Sequence, residues 1–138
     1  MDNLSSTERS EIMSRVKSKN TRPELLVRSY LHRHGLRFRL NRTKLPGKPD
    51  IVLPKYKAVV FVNGCFWHQH PSPDCKLARM PKSHIDFWKP KLEANRERDK
   101  QKKVALEKLG WRVFYVWECQ LIHPEQILAE LVIRIKND

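Results

Sequence analysis

Three cysteines and two neighbouring histidines constrain this chain more than any other feature. The segment Gly64-Cys65-Phe66-Trp67-His68-Gln69-His70, closed by Cys75, carries four of them, and Cys119 follows far along the chain. Cys65, His70, Cys75 and Cys119 form a three-thiolate, one-imidazole set, a donor combination that closed tetrahedral zinc sites use. A fold that uses all four must bring Cys119 back to the loop. The same loop holds Phe66 and Trp67, and a short loop rarely wants large aromatics and metal-binding residue types together.

With 138 residues and 40% hydrophobic content, the chain fits one domain, residues 1–138, around one core. No apolar run approaches the roughly 18 residues of a membrane span. The opening Met1-Asp2-Asn3-Leu4-Ser5 lacks the apolar segment of a signal peptide. These features predict a cytoplasmic location with no membrane partner. In a reducing compartment, three cysteines read better as metal ligands than as a disulfide and a spare thiol.

The net charge of +13 predicts a polyanionic partner. Residues 1–48 hold 12 Lys/Arg against 4 Asp/Glu, and residues 76–112 hold 12 against 5, whereas residues 49–75 balance at 2 against 2. Two basic blocks flanking a neutral, chemically specialised centre suit phosphate contacts on either side of it.

Element signals are regular, with no repeats or glycine-rich linkers. Ser5 and Glu8 have capping-box spacing at the head of a first helix, about 7–17, which could serve as a DNA-contacting arm. Thr21-Arg22-Pro23-Glu24 repeats the spacing before a second helix that ends at His34-Gly35, with Leu26, Tyr30 and Leu31 expected inward and Arg28 outward. Strands are expected near 38–40, at 51–53 and 58–62 as a hairpin, and at 111–117; helices are expected at 89–109 and 124–135. This order predicts an α/β layer fold around a small mixed sheet.

Several residues carry chemistry. Asp50 stands between Pro49 and the strand Ile51-Val52-Leu53. One reading is a turn aspartate capping its own backbone; the other is a hard oxygen ligand for magnesium, which needs only one or two protein carboxylates. The following strand runs into Asn63-Gly64-Cys65 and His68, so adjacent strands can deliver Asp50 and His68 to one sheet end. If His70 joins the thiols, His68 is free to take a proton from an attacking water. Spacing alone leaves the reverse assignment open, and a wholly structural pair as well. Phe66, Trp67 and Trp88 either pack inside or stack on bases, while Phe87, Trp111 and Trp117 are expected in the core. A helix cap explains Glu24, and a solvated charge run explains Asp99.

Taken together, Leu45-Pro46-Gly47-Lys48-Pro49-Asp50, Phe61-Val62-Asn63-Gly64-Cys65-Phe66-Trp67-His68, Asn95-x-x-Arg98-Asp99, Gly110-Trp111-Arg112-Val113 and Val116-Trp117-Glu118-Cys119 resemble the very short patch repair (Vsr) endonucleases, in the family's order from about Arg9 to Cys119. The resemblance implies a fold similar to restriction endonucleases, with a variant PD-(D/E)xK site and a structural zinc. It implies magnesium-dependent nicking of double-stranded DNA 5′ to the thymine of T:G mismatches left by 5-methylcytosine deamination. It also implies a nucleoid-associated monomer, with mismatch-repair proteins as candidate second partners.

By position, Asp50 matches a metal-binding aspartate and His68 a catalytic histidine. Glu24 matches a glutamate holding metal-bound water, and Asp99 a supporting aspartate. Cys65, His70, Cys75 and Cys119 match zinc ligands, and Phe66, Trp67 and Trp88 match aromatics that wedge into the duplex. Val62-Asn63 stand where the family commonly has Thr-His. The Val62 main-chain carbonyl can replace that of Thr at magnesium; Asn63 can orient water but cannot act as a base. The loop between His70 and Cys75 is longer than in some relatives. Two other functions fit the same residues: a restriction-type nicking nuclease of different specificity, and an inert zinc-stabilised DNA-binding module.

Overall fold

The computed structural model describes residues 21–40, 44–80 and 82–137. The first expected helix, about 7–17, lies outside them. Helix α1 spans Arg22–Arg33, with Thr21 as its cap: the Glu24 amide donates to Thr21 Oγ1 at 3.4 Å. Strand β1 is Arg39–Leu40, β2 Ile51–Leu53 and β3 Ala58–Asn63. Helix α2 runs Ile85–Lys108, strand β4 Arg112–Trp117 and helix α3 Pro124–Lys136. None of these helices is long and apolar enough to cross a membrane.

The four strands form one mixed sheet in the order β1-β2-β3-β4. Strands β1, β2 and β3 pair antiparallel, and β2 and β3 make the expected hairpin. Strand β4 pairs parallel to β3, with Ala58 opposite Arg112 and Asn63 opposite Trp117. A parallel pair requires a crossover, and α2 supplies it.

Strand side chains alternate between faces, and each face is covered. Ile51, Leu53, Ala58, Val60, Phe114 and Val116 pack with Val27 and Leu31 of α1 and with Leu128, Leu131, Val132 and Ile135 of α3. On the opposite face Val52, Val59 and Phe61 meet Leu106 of α2, with Trp111, Val113 and Tyr115 beside them. Burial on both faces explains the unbroken apolar reading of β3.

Three expectations are corrected. Leu26 is exposed, and the inward face of α1 is Glu24, Val27 and Leu31, with Arg28 largely buried beside them. The apolar stripe is displaced because two charged residues share the buried side. Helix α2 begins four residues before the expected Lys89, after His84 in left-handed backbone, and carries Pro90 inside it. Starting at Ile85 places Trp88 (7% exposed) and Leu92 against the protein, which offsets the backbone bond that Pro90 cannot make. Phe87, expected in the core, is exposed.

Far from the cysteine loop, Arg112 joins three elements. Its guanidinium donates to the carbonyls of Tyr56 (2.8 Å), Arg134 (3.1 Å) and Ile135 (2.8 Å). The last two belong to the final turn of α3, where backbone carbonyls lack helical partners and a cation is favoured. Arg112→Ala should lower unfolding free energy by about 2 kcal/mol, measured by denaturant titration. Arg112→Lys should recover only part of it, because an ammonium cannot reproduce the planar fork.

Candidate active site and metal centre

The parallel pairing of β3 with β4 fixes where the chemistry gathers. Because Asn63 and Trp117 are partners, Cys65 and Cys119 each lie two residues past the last paired position, at the same sheet end. The loop after β3 folds tightly: His68 N–H donates to the Gly64 carbonyl at 3.2 Å and His70 N–H to that of Cys65 at 2.9 Å. Gln69 accepts left-handed backbone there and ties the loop down, its amide donating to the carbonyls of Phe66 (2.8 Å) and Ala78 (3.1 Å).

Cys65, His70, Cys75 and Cys119 meet in this loop, their ligating atoms all within 4.8 Å of one another. The His70 Nδ1 lies 3.8 Å from Cys65 Sγ and 3.4 Å from Cys119 Sγ. This group could hold a metal ion. Burial pushes the Cys65 thiol up to about 12 and lowers the pKa of His70. A buried thiol gives up its proton readily where a cation takes the proton's place, and neutral imidazole is the metal-ligating form. Trp117 stacks on the His70 ring, with centroids 4.4 Å apart, and fixes its plane. Glu118 Oε1 accepts the Cys65 N–H at 3.3 Å and Cys65 Sγ the Cys119 N–H at 3.4 Å. Glu118 is thus a strut of the centre that sequence reasoning missed, although it sits inside the quoted Trp-Glu-Cys run.

His68 stands apart from the thiols. Its Nδ1 lies 2.6 Å from Asp99 Oδ2, so the two histidines take different partners. Asp99 comes from α2, and Asn95, one turn earlier, donates to the Trp67 carbonyl at 3.1 Å. One stripe of α2, spaced alternately four and three residues apart (Trp88, Leu92, Asn95, Asp99, Lys102, Leu106), thereby faces the sheet and the loop. Its middle is polar, which conceals it from a search for apolar periodicity.

Asp50 immediately precedes β2, and its Oδ2 accepts the Val62 N–H of β3 at 2.7 Å. Burial raises its pKa to about 6; Glu24 adds to the rise, while the Val62 N–H, His68 and Arg28 oppose it. Glu24 is itself buried and pairs with Arg28 at 2.9 Å. Asn63 is buried at the end of β3. Arg28 was expected to point outward; its signal in the sequence was the four-residue spacing from Glu24.

Phe66, Trp67 and Trp88 form a triangle of edge-to-face rings, with centroids 5.2, 5.3 and 5.8 Å apart. Phe66 and Trp67 are half-buried and Trp88 is buried. Phe87 extends the group, 4.8 Å from Trp88. Trp111 and Trp117 are half-buried against the sheet rather than enclosed.

Two carboxylates and a histidine–aspartate pair at one sheet end, in a strongly basic chain, make a set suited to hydrolysis of a phosphate ester. The family model described as "DNA mismatch endonuclease Vsr" matches residues 1–76. The chain is 52% identical over 136 residues to "Type II nicking enzyme V.XorIIP" of Xanthomonas oryzae, covering 99% of this chain and 95% of that protein. It is 48% identical to "Type II nicking enzyme V.NmeAIP" of Neisseria meningitidis, covering 99% and 97%. With "DNA mismatch endonuclease Vsr" of Escherichia coli it shares 40% identity over 122 residues, 88% of this chain and 76% of that one. The chain belongs to the Vsr family of DNA endonucleases, which includes nicking enzymes.

Asp50 yields a stability test. A carboxylate whose folded pKa is raised to about 6 from 3.8 weighs against folding above pH 6, where it must ionise in place, and the penalty fades as pH falls through this window. In magnesium-free buffer Asp50→Asn, which keeps an oxygen for the Val62 N–H, should gain about 2 kcal/mol at pH 7.5. The gain should shrink towards pH 5, measured by denaturant unfolding at each pH.

Proposed function

We propose that the protein is a magnesium-dependent endonuclease that nicks one DNA strand 5′ to the thymine of a T:G mismatch, initiating very short patch repair. The observation that carries this reading is the 2.6 Å contact of His68 with Asp99 at the sheet end where Asp50 bonds β3. Family membership and the E. coli relative's name support the mismatch substrate.

The donor set at Asp50 fits a hard cation. Its carboxylate stands beside buried Glu24, and magnesium needs few protein oxygens. Asp50 and the Val62 carbonyl would hold magnesium, with Glu24 and Asn63 orienting its waters. Bound there, the ion supplies Lewis acidity to the scissile phosphate. The protein's own part is proton transfer. Asp99 accepts a hydrogen bond from the Nδ1–H of His68, which leaves the Nε2 lone pair free. As the oxygen of a water bonds to phosphorus, its proton passes to Nε2, and the bond to the leaving sugar oxygen breaks, that oxygen taking a proton from solvent. Phe66, Trp67 and Trp88 would enter the duplex at the mismatch, where unstacking is least costly.

At the cysteine centre the fit is to zinc. Zinc bonds of about 2.0–2.3 Å at tetrahedral angles place donor atoms roughly 3.3–3.8 Å apart. His70 Nδ1 lies 3.8 and 3.4 Å from the Cys65 and Cys119 sulfurs, and the full set spans up to 4.8 Å, which bound metal would draw in. Three thiolates favour zinc over harder ions. Elemental analysis should find one zinc per chain, and Cys119→Ser should lose both metal and fold.

A second reading, nicking with a different specificity, draws on the Xanthomonas and Neisseria relatives being called Type II nicking enzymes. Paired duplexes differing only by T:G or C:G within a CCWGG-like site separate the two. The mismatch reading expects nicking confined to the T:G strand; equal cutting of both duplexes would favour the second reading. Asp50→Ala should abolish nicking. His68→Ala should stay folded and zinc-loaded while losing about 10²–10⁴-fold in rate; an active His68→Ala protein would place the base elsewhere.

A further inference from the structure

Gly47 and Lys102 meet at the edge of the site. Gly47 lies in the turn that leads to Asp50, with φ +78°. A Cβ at this glycine would fall 2.7, 2.8 and 2.9 Å from Cγ, Cβ and Cδ of Lys102. The backbone of the turn therefore rests directly on the aliphatic stem of a residue of α2. Flanking residues give the turn little freedom: Lys48 is also left-handed at φ 47°, and Pro46 and Pro49 fix their own φ angles. Whatever seats Gly47 helps to seat Asp50, three residues on.

The other end of the same side chain touches a different arm of the site. Lys102 Nζ lies 3.8 Å from Asp99 Oδ1, and the second oxygen of that carboxylate is the one 2.6 Å from His68 Nδ1. One side chain thus contacts both the turn that delivers the carboxylate and the aspartate that orients the histidine.

We propose that Lys102 is a positioning residue with two separable parts: its stem seats the Asp50 turn, and its ammonium holds the Asp99 carboxylate that orients His68. This rests on the roles assigned above to Asp50, Asp99 and His68. At 36% exposure, an ion pair with Asp99 adds little to folding stability. The effect belongs in metal binding and rate, where small displacements of reacting groups are strongly felt.

Two substitutions in the full-length, zinc-loaded protein separate the parts. Lys102→Met keeps a stem of similar length and removes the charge; Lys102→Ala removes both. Two readouts serve: binding of Mn2+ alone, by electron paramagnetic resonance of the free ion, and kcat for nicking a T:G duplex at saturating magnesium. Lys102→Met should bind Mn2+ like wild type and lose about tenfold in kcat. Lys102→Ala should lose that and also weaken Mn2+ binding by about fivefold. Thermal midpoints should stay within about 2 °C of wild type for both.

Asp50→Ala is the control for the underlying roles. If it weakens Mn2+ binding while both Lys102 variants match wild type in binding and kcat, the positioning role is overturned and the site reading stands. If Asp50→Ala binds Mn2+ like wild type, the site reading fails and takes this role with it. Equal losses in both variants on both readouts would overturn the separation into stem and charge.

Discussion

The parallel register between β3 and β4 is the constraint on which the site depends. With Asn63 opposite Trp117, the residues following both strands emerge side by side. The loop that holds Cys65, His68 and His70 therefore meets the segment that holds Glu118 and Cys119. A shift of one residue would turn each β4 side chain to the opposite face, taking Trp117 off His70. The local hydrogen bonds of Glu118 and Cys119 to the loop are fastenings on an alignment set by the sheet.

Around that alignment the two faces of the sheet divide the work. Helices α1 and α3 close one face with aliphatic packing, and α1 also carries Glu24 and Arg28 into the vicinity of Asp50. Helix α2 closes the other face with Leu106, then continues beyond the core to present Asp99, Asn95 and Trp88 to the loop. The turn into β2 adds Asp50 through its bond to β3. Asp50 and Asn63 thus arise at strand ends and Asp99 on the inward stripe of α2, each held by an element packed against the core, so the geometry is borrowed from the core.

Elements whose pattern reflects a single cause were legible in the sequence. The hairpin followed from two apolar runs around Pro54-Lys55-Tyr56-Lys57, and α3 from the stripe Ile127, Leu128, Leu131, Val132 and Ile135, of which Ile127 is half-buried and the other four are buried. The cysteine–histidine group was legible as a donor set, while the choice of His70 over His68 required the contact with Asp99. What escaped were positions where chemistry displaces packing. Leu26 is exposed where it was expected inward, because buried Glu24 and Arg28 displace the apolar stripe of α1. Lys102 reads as one lysine in a charged run, since nothing local marks the turn resting on it. The start of α2 at Ile85 rather than Lys89 shows only in the burial of Trp88.

The triangle of Phe66, Trp67 and Trp88 also sets a threshold. Each edge-to-face contact is worth about 0.5–1.5 kcal/mol beyond simple burial, and each ring makes two within the triangle. A ring that left for a base stack would forgo about 1–3 kcal/mol before gaining anything. Against a well-stacked duplex that debt adds to the cost of prising the bases apart, whereas a weakened step has less to resist with. In the proposed wedge role, aromatic self-association in the resting protein would act as a discriminator, holding the rings together against DNA that is intact.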